Sequence, residues 1–131
     1  MTQNRNQLIQ LFVGNIYNAI VHEILEKAID KLVKECGGIA RKNGYDEKYH
    51  KKTEVPTLLM FMVSELVEAL ESWRDNNYEG KDGVYEELCD CLIRICSFIH
   101  NQKKCRSFGK IVVNKMKYNE SRAKMHGRKN G

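Results

Sequence analysis

The sequence contains a single proline among its 131 residues and no unbroken run of about 18 apolar residues. One proline leaves room for long helices, because proline in a helix interior removes a hydrogen bond and clashes with the preceding turn. Without a long apolar run, no transmembrane helix is expected. The first residues, MTQNRNQLIQ, also lack the apolar segment and cleavage site of a signal peptide. We therefore expect a cytoplasmic protein without a membrane partner.

Five cysteines are present, but their odd number and irregular spacing do not form a disulfide framework. The closest three, Cys89, Cys91 and Cys96, lie in an apolar segment with spacings that match no standard zinc finger. We interpret the cysteines as buried reduced thiols, which agrees with a cytoplasmic location.

Hydrophobic residues make up 42% of the chain and charged residues 30%, which is typical of a globular protein. The length predicts one domain, residues 1–131. The net charge of +5 is unevenly distributed, since residues 101–131 carry +9 and the rest carries −4. This distribution suits a metal-containing acidic site that shares an anionic ligand with a basic segment. It equally suits a helical body with a nucleic-acid-binding tail.

Apolar positions recur with helical spacing, and no segment shows the alternation of a strand. The fold class is therefore predicted to be all-α, resembling an oligomeric four-helix bundle. Gly37-Gly38 or Gly44 is expected to end or kink the first helix, and Thr53 and Ser107 are candidate caps. The polar stretch 42–54 lacks periodicity and is predicted to be a loop. The four predicted helices span about 7–35, 56–76, 84–102 and 108–124.

Two pairs of acidic residues interrupt the apolar helical segments. Glu65 and Glu68 lie three residues apart in SELVEALESWR, and Glu87 and Asp90 repeat this spacing in EELCDCLIRI. Two helices joined by a short link normally pack antiparallel, so the four carboxylates could converge in one cleft. Hard oxygen ligands of this kind suit Mg²⁺ or Mn²⁺. The alternative is that the acids lie on solvated helix surfaces, where such spacing is common.

The two acidic segments, together with the C-terminal KMKYNESRAKMHGRK, resemble the ExxE…ExxD motifs and the KxxYNxxRxxxHGxK ending of the MazG-like all-α nucleoside triphosphate pyrophosphohydrolases. The resemblance covers residues 32–129, so residues 1–31 are expected to be a helical extension outside the core pattern. The C-terminal positions that carry it are Lys115, Tyr118, Asn119, Arg122, His126, Gly127 and Lys129.

This resemblance implies Mg²⁺-dependent hydrolysis of a (d)NTP to the monophosphate and pyrophosphate by a homodimer or homotetramer. Glu65, Glu68, Glu87 and Asp90 would be the metal ligands. Glu65 or Glu68 would also be the catalytic base, and the spacing does not decide between them.

The resemblance also implies that Lys115, Asn119, Arg122 and Lys129 bind the substrate. The first three share one face of a helix by their spacing, from which they could contact phosphate oxygens. A solvated basic helix is the alternative for these residues.

Three further residues are weaker candidates. Tyr45 and Tyr49 could line a pocket for the base, and Arg94 could orient Asp90 or pair with surface acids. A nucleic acid is not the expected partner. A helical nucleic-acid-binding or regulatory module that uses the basic C-terminal segment nevertheless stays open as the alternative function.

Overall fold

The computed structural model describes residues 2–122. Every regular secondary-structure element in that range is an α-helix. The prediction of an all-α protein is therefore confirmed. The contacts divide the chain into two compact units. Unit 1 consists of the residues up to Asp30 together with the chain from Ser107 onward, and unit 2 consists of Lys31–Arg106. The five helices are α1 (Thr2–Lys42), α2 (Glu47–Lys52), α3 (Val55–Arg74), α4 (Val84–His100) and α5 (Phe108–Ser121).

The first helix is longer than the sequence indicates, because Gly37 and Gly38 do not break it. The ring of His100 at the end of α4 packs so closely on Gly37 that a Cβ atom there would overlap with it. This contact explains why residue 37 is a glycine although it lies in the interior of a helix. The helix instead ends before Gly44, which has φ of 92°. Gly44 is therefore the stop signal, since a left-handed residue after the last turn is a common way to end a helix.

The stretch predicted to be a loop contains the short helix α2. Its N-cap residue is Asp46, whose carboxylate accepts a hydrogen bond of 3.0 Å from the backbone N–H of Tyr49. Thr53 was predicted to cap the next helix, and this prediction is wrong. Thr53 lies at the C-terminal end of α2, and Glu54 precedes α3 without a capping side-chain bond. Pro56 does lie in the first turn of α3 as expected.

A hydrogen-bonded link joins α3 to α4 within unit 2. The hydroxyl of Ser72 donates to the carbonyl of Asp82 at 2.7 Å, and the N–H of Val84 donates to the carbonyl of Asn77 at 3.0 Å. Asn76 and Asp82 adopt positive φ angles of 57° and 54°, which their residue types tolerate better than most. The two helices pack against each other along their length. The link thus holds the acidic residues of α3 and α4 in neighbouring helices of one hairpin.

Unit 1 joins the start of α5 to α1 through Asp30. Its carboxylate accepts hydrogen bonds from the Ser107 hydroxyl at 2.6 Å and from the Gly109 N–H at 2.8 Å. Ser107 in turn accepts a hydrogen bond from the N–H of Lys110, so its predicted role as the N-cap of α5 is confirmed. Val113, one turn further on, is fully buried.

Changing Gly109 to Ala is expected to lower the free energy of unfolding by about 2 kcal/mol, because the added Cβ would overlap with the backbone carbonyl of Glu26 and force the two helices apart. The matched control is Gly14→Ala, because nothing lies within 4 Å of a Cβ atom at that helical position. This control should stabilise the protein by up to about 1 kcal/mol. Urea unfolding of both variants measures the difference. Equal stabilities would contradict the described packing of α5.

The N-terminal half of α1 exposes many large apolar side chains, and the helix is long and apolar enough by length and composition to cross a membrane. The sequence predicts no such segment, because polar residues interrupt every apolar run. One helix of this kind near an N-terminus is weak evidence for a span, since core helices and signal sequences have similar composition. The exposed residues include Leu8, Ile9, Leu11, Phe12, Val13, Ile16, Tyr17, Ile20 and Ile24.

Candidate metal centre

Three acidic side chains of unit 2 converge between α3 and α4. Glu65, Glu68 and Glu87 each place one carboxylate oxygen within 4.8 Å of the others. Glu65 and Glu87 are only 5% and 6% exposed, whereas Glu68 is exposed. This acidic cluster therefore has two buried members and one that faces solvent. Asp90, the fourth predicted ligand, lies outside this group of three and is exposed.

Glu87 has the most unusual electrostatic environment of the cluster. Burial raises the pKa of its carboxyl above the ordinary value, and the neighbouring charges of Glu68, Glu65 and Asp90 raise this pKa further. Across residues 2–122 no Lys, Arg or His forms an ion pair with Glu87. A buried carboxylate among like charges is unfavourable unless a positive charge approaches it. The site is thus electrostatically suited to a cation.

Glu65 differs from Glu87 because it already has a cationic partner. The Nε of Arg94, on α4, donates a hydrogen bond of 2.5 Å to Oε1 of Glu65. The guanidinium also lies over the ring of Phe61, with 5.6 Å between its central carbon and the ring centroid. The sequence suggested that Arg94 orients Asp90 in its own helix or pairs with surface acids. Arg94 instead forms an ion pair with Glu65, the buried glutamate of α3.

Beside the cluster lies a cleft of about 270 Å³ within unit 2. Asp90 and Arg94 form part of its wall. Both also interact with the acidic cluster, because the charge of Asp90 acts on Glu87 and Arg94 is hydrogen-bonded to Glu65. The rest of the wall is mainly apolar and aromatic, with contributions from α1, α2, α3 and α4. Besides Asp90 and Arg94, the polar and aromatic lining residues are Asn43, Tyr45, Tyr49, His50, Phe61, Ser97 and Phe98.

His50 also lines the cleft, although no sequence pattern predicts a role for it. Both of its ring nitrogens are buried, and neither has a hydrogen-bond partner among the residues that the structure describes. Its ring lies edge-to-face with Tyr49, which contacts Tyr45 in the same way. The two tyrosines were candidates for a base pocket, and both do line the cleft. No sequence signal indicated His50, because α2 is too short to show periodicity.

The basic residues predicted to bind substrate belong to unit 1. Lys115 and Arg122 lie on either side of Tyr118 in sequence, and their charges approach its ring to 4.9 Å and 5.5 Å from the centroid. Both cations therefore lie near the ring of Tyr118, and Asn119 is the next residue in the chain. The helix ends at Ser121, before the predicted end at residue 124. Lys129, with His126 and Gly127, lies outside the described residues.

Three comparisons with known proteins address the family of this chain. No protein-family model, no curated protein and no solved structure matches it. The resemblance to the MazG-like pyrophosphohydrolases therefore depends on the motif residues named above and stays a hypothesis.

Proposed function

We propose that this protein is a MazG-like pyrophosphohydrolase that cleaves a (d)NTP into a (d)NMP and pyrophosphate with the help of Mg²⁺, with Mn²⁺ as a possible substitute. The observation that carries the proposal is the environment of Glu87. This carboxylate is buried beside Glu65 and Glu68, its pKa is raised, and no cationic side chain within residues 2–122 pairs with it. A divalent cation shared with substrate phosphates would neutralise these charges.

The donor set fits such an ion. Glu65, Glu68 and Glu87 offer hard oxygen atoms close to one another, and Asp90 follows Glu87 by one turn of α4. No cysteine belongs to the group, and carboxylates are the ligands that Mg²⁺ prefers. Arg94 engages one oxygen of Glu65, so the other carboxylates carry more of the metal-binding role. When bound, the ion would withdraw charge from the triphosphate and make water a better nucleophile.

In the proposed reaction, the oxygen of a water molecule attacks the α-phosphorus and the bond from that phosphorus to the β-bridging oxygen breaks. Pyrophosphate leaves with the electron pair of that bond, and a glutamate accepts the proton of the water. Glu68 is better suited to be this base than Glu65. Its carboxylate is exposed to the solvent from which water enters, whereas Glu65 is buried and bonded to Arg94.

Lys115, Asn119, Arg122 and Lys129 are proposed to bind the phosphate chain. The support from the structure concerns two of them, since the charges of Lys115 and Arg122 both approach the ring of Tyr118. Cationic side chains bind phosphate oxygens through charge-assisted hydrogen bonds, which are stronger than neutral ones.

The test of the function is a screen of ribonucleoside and deoxyribonucleoside triphosphates with Mg²⁺ and with Mn²⁺. We expect at least one substrate to yield equimolar monophosphate and pyrophosphate. Release of orthophosphate with a diphosphate would contradict cleavage at the α-phosphorus. Inactivity across the whole panel, combined with binding of an oligonucleotide, would favour the nucleic-acid-binding module.

We further propose that the protein is a homodimer or homotetramer, because the apolar residues of the N-terminal half of α1 are largely exposed in the single chain. Exposed apolar surface of this extent usually marks an interface. Light scattering at micromolar concentration should give twice or four times the mass of one chain. A monomeric mass would contradict this proposal, and recovery of the full-length chain with lipid vesicles would assign α1 to a membrane instead.

A further inference from the structure

Two buried cysteines of unit 2 are neighbours between α1 and α4. Cys36 is 8% exposed and lies near the end of α1, and Cys96 is 2% exposed and lies on α4. The two helices approach closely here, since the ring of His100 packs directly on Gly37. Cys36 also shares the wall of the cleft with Ser97, the residue after Cys96. The packing of unit 2 therefore brings two free thiols from different helices together.

The two thiols differ in how readily an oxidant can attack them. Burial, together with the charge and a hydrogen bond of the adjacent Cys36 side chain, raises the pKa of the Cys96 thiol to about 11. Oxidants react with the thiolate, so Cys96 is a poor first target at pH 7. Cys36 lines the cleft, whereas Cys96 does not. The cleft volume of about 270 Å³ far exceeds the space of one water molecule, roughly 30 Å³, so a molecule as small as hydrogen peroxide fits beside Cys36.

We propose that Cys36 and Cys96 are a redox-sensitive pair, in which a hydroperoxide first oxidises Cys36 and a reversible disulfide to Cys96 then joins α1 covalently to α4. This proposal does not depend on the proposed function, because it concerns only the chemistry of the two thiols. A disulfide of this kind agrees with the free thiols of the structure, which is then the reduced form.

The proposed oxidation has two steps. The thiolate sulfur of Cys36 attacks one oxygen of the hydroperoxide, the O–O bond breaks, and the leaving oxygen takes up the proton that the thiol lost. Cys36 is then a sulfenic acid, whose sulfur the Cys96 sulfur attacks. The S–O bond breaks, and water leaves with the proton of Cys96. The two thiols thus lose two electrons, which reduce the hydroperoxide. The second step is intramolecular, which offsets the small thiolate fraction of Cys96.

The first experiment uses the unaltered full-length protein. After treatment with hydrogen peroxide at pH 7, free thiols are blocked with iodoacetamide in denaturant, and the monomer band of a non-reducing gel is digested with trypsin for mass spectrometry. Trypsin places Cys36 in peptide 35–41 and Cys96 in peptide 95–103, neither of which contains another cysteine. We expect these peptides to be joined with the loss of two hydrogen atoms and to be separated by dithiothreitol. Recovery of both peptides fully alkylated, at a peroxide dose that oxidises the exposed Cys89, would overturn the proposal.

The second experiment tests the order of the two steps with dimedone, which labels sulfenic acids. In Cys96→Ala the reaction should stop after the first step, so dimedone should label Cys36. In Cys36→Ala, Cys96 should stay unlabelled. Cys91→Ala is the matched control, because Cys91 is also buried on α4 but does not line the cleft, and this variant should form the disulfide as the unaltered protein does. Labelling of Cys96 in Cys36→Ala as strong as that of Cys36 in Cys96→Ala would overturn the assignment of Cys36 as the first target.

The third experiment compares the melting temperatures of the oxidised and reduced forms of the unaltered protein. The disulfide would close a long loop of the unfolded chain, so the oxidised form should melt about 10 °C higher. Peroxide should produce no such rise in Cys36→Ala. An oxidised form that melts at or below the reduced one would show that the bond distorts the packing of α1 on α4, and it would overturn the proposed switch. The peptide analysis and this comparison both use the unaltered chain, so they remain decisive even if the variants fold poorly.

Discussion

Changing Glu68 to Gln is expected to lower kcat/KM for the best nucleotide by about 10²–10³-fold, because the substitution removes a charge from the acidic cluster and a base for the attacking water. Metal-based stabilisation of a transition state is worth several kcal/mol, and each 1.36 kcal/mol corresponds to a factor of ten. The measurement is steady-state pyrophosphate release at saturating Mg²⁺. Since Glu68 is exposed, the thermal stability of the metal-free variant should equal or exceed that of the unaltered protein.

Glu71→Gln is the matched control for this experiment. Glu71 lies three residues further along α3 and is exposed, but it does not belong to the acidic cluster. The control should retain near-normal kcat/KM. Similar activities for the two variants would show that Glu68 has no special role, and the proposed metal site would have to be abandoned.

Replacing Arg94 by Met is expected to lower the free energy of unfolding by about 3 kcal/mol in the absence of divalent cations. The variant leaves Glu65 buried without its cationic partner, and breaking a buried ion pair typically costs about 3–5 kcal/mol. The lower end of the range applies because the Arg94 side chain is 45% exposed. Urea unfolding at pH 7 measures the change.

Two comparisons show whether the loss comes from the ion pair. Arg74→Met removes an exposed arginine of α3 for which no ion pair is found within the described chain, and it should change stability little. Adding Glu65→Gln to Arg94→Met removes the unpaired charge, so the double variant should be more stable than Arg94→Met alone. Strictly additive losses would mean that the hydrogen bond between the two side chains contributes nothing measurable.

The helices with regular apolar spacing were predictable from the sequence, whereas the irregular elements were not. The spacing in α3 and α4 predicted those helices closely, and Ser107 marked the start of α5. The continuation of α1 through Gly37 was not predictable, since it depends on packing against His100. Likewise, α2 has only six residues, too few for a periodic pattern to emerge.

The acidic residues of the candidate site were predictable from the sequence, but the residues that contact them and line the cleft were not. The spacing of Glu65, Glu68 and Glu87 within apolar segments placed them on facing helices, and the structure brings them together. The contact between Arg94 and Glu65 joins two helices, so it could not be inferred from the spacing of residues within either helix. Asn43 follows the end of α1 and His50 lies in α2, and their positions in the wall of the cleft depend on tertiary contacts.

The short link between α3 and α4 has a consequence for how the acidic cluster would bind an ion. Hairpin contacts close small loops, so they form with little entropy loss and tend to form early in folding. The carboxylates are therefore already ordered when an ion arrives, and the entropic cost of arranging them falls on folding rather than on binding. A chelator would then remove such an ion without unfolding the hairpin, in contrast to zinc fingers, which unfold when their metal is removed.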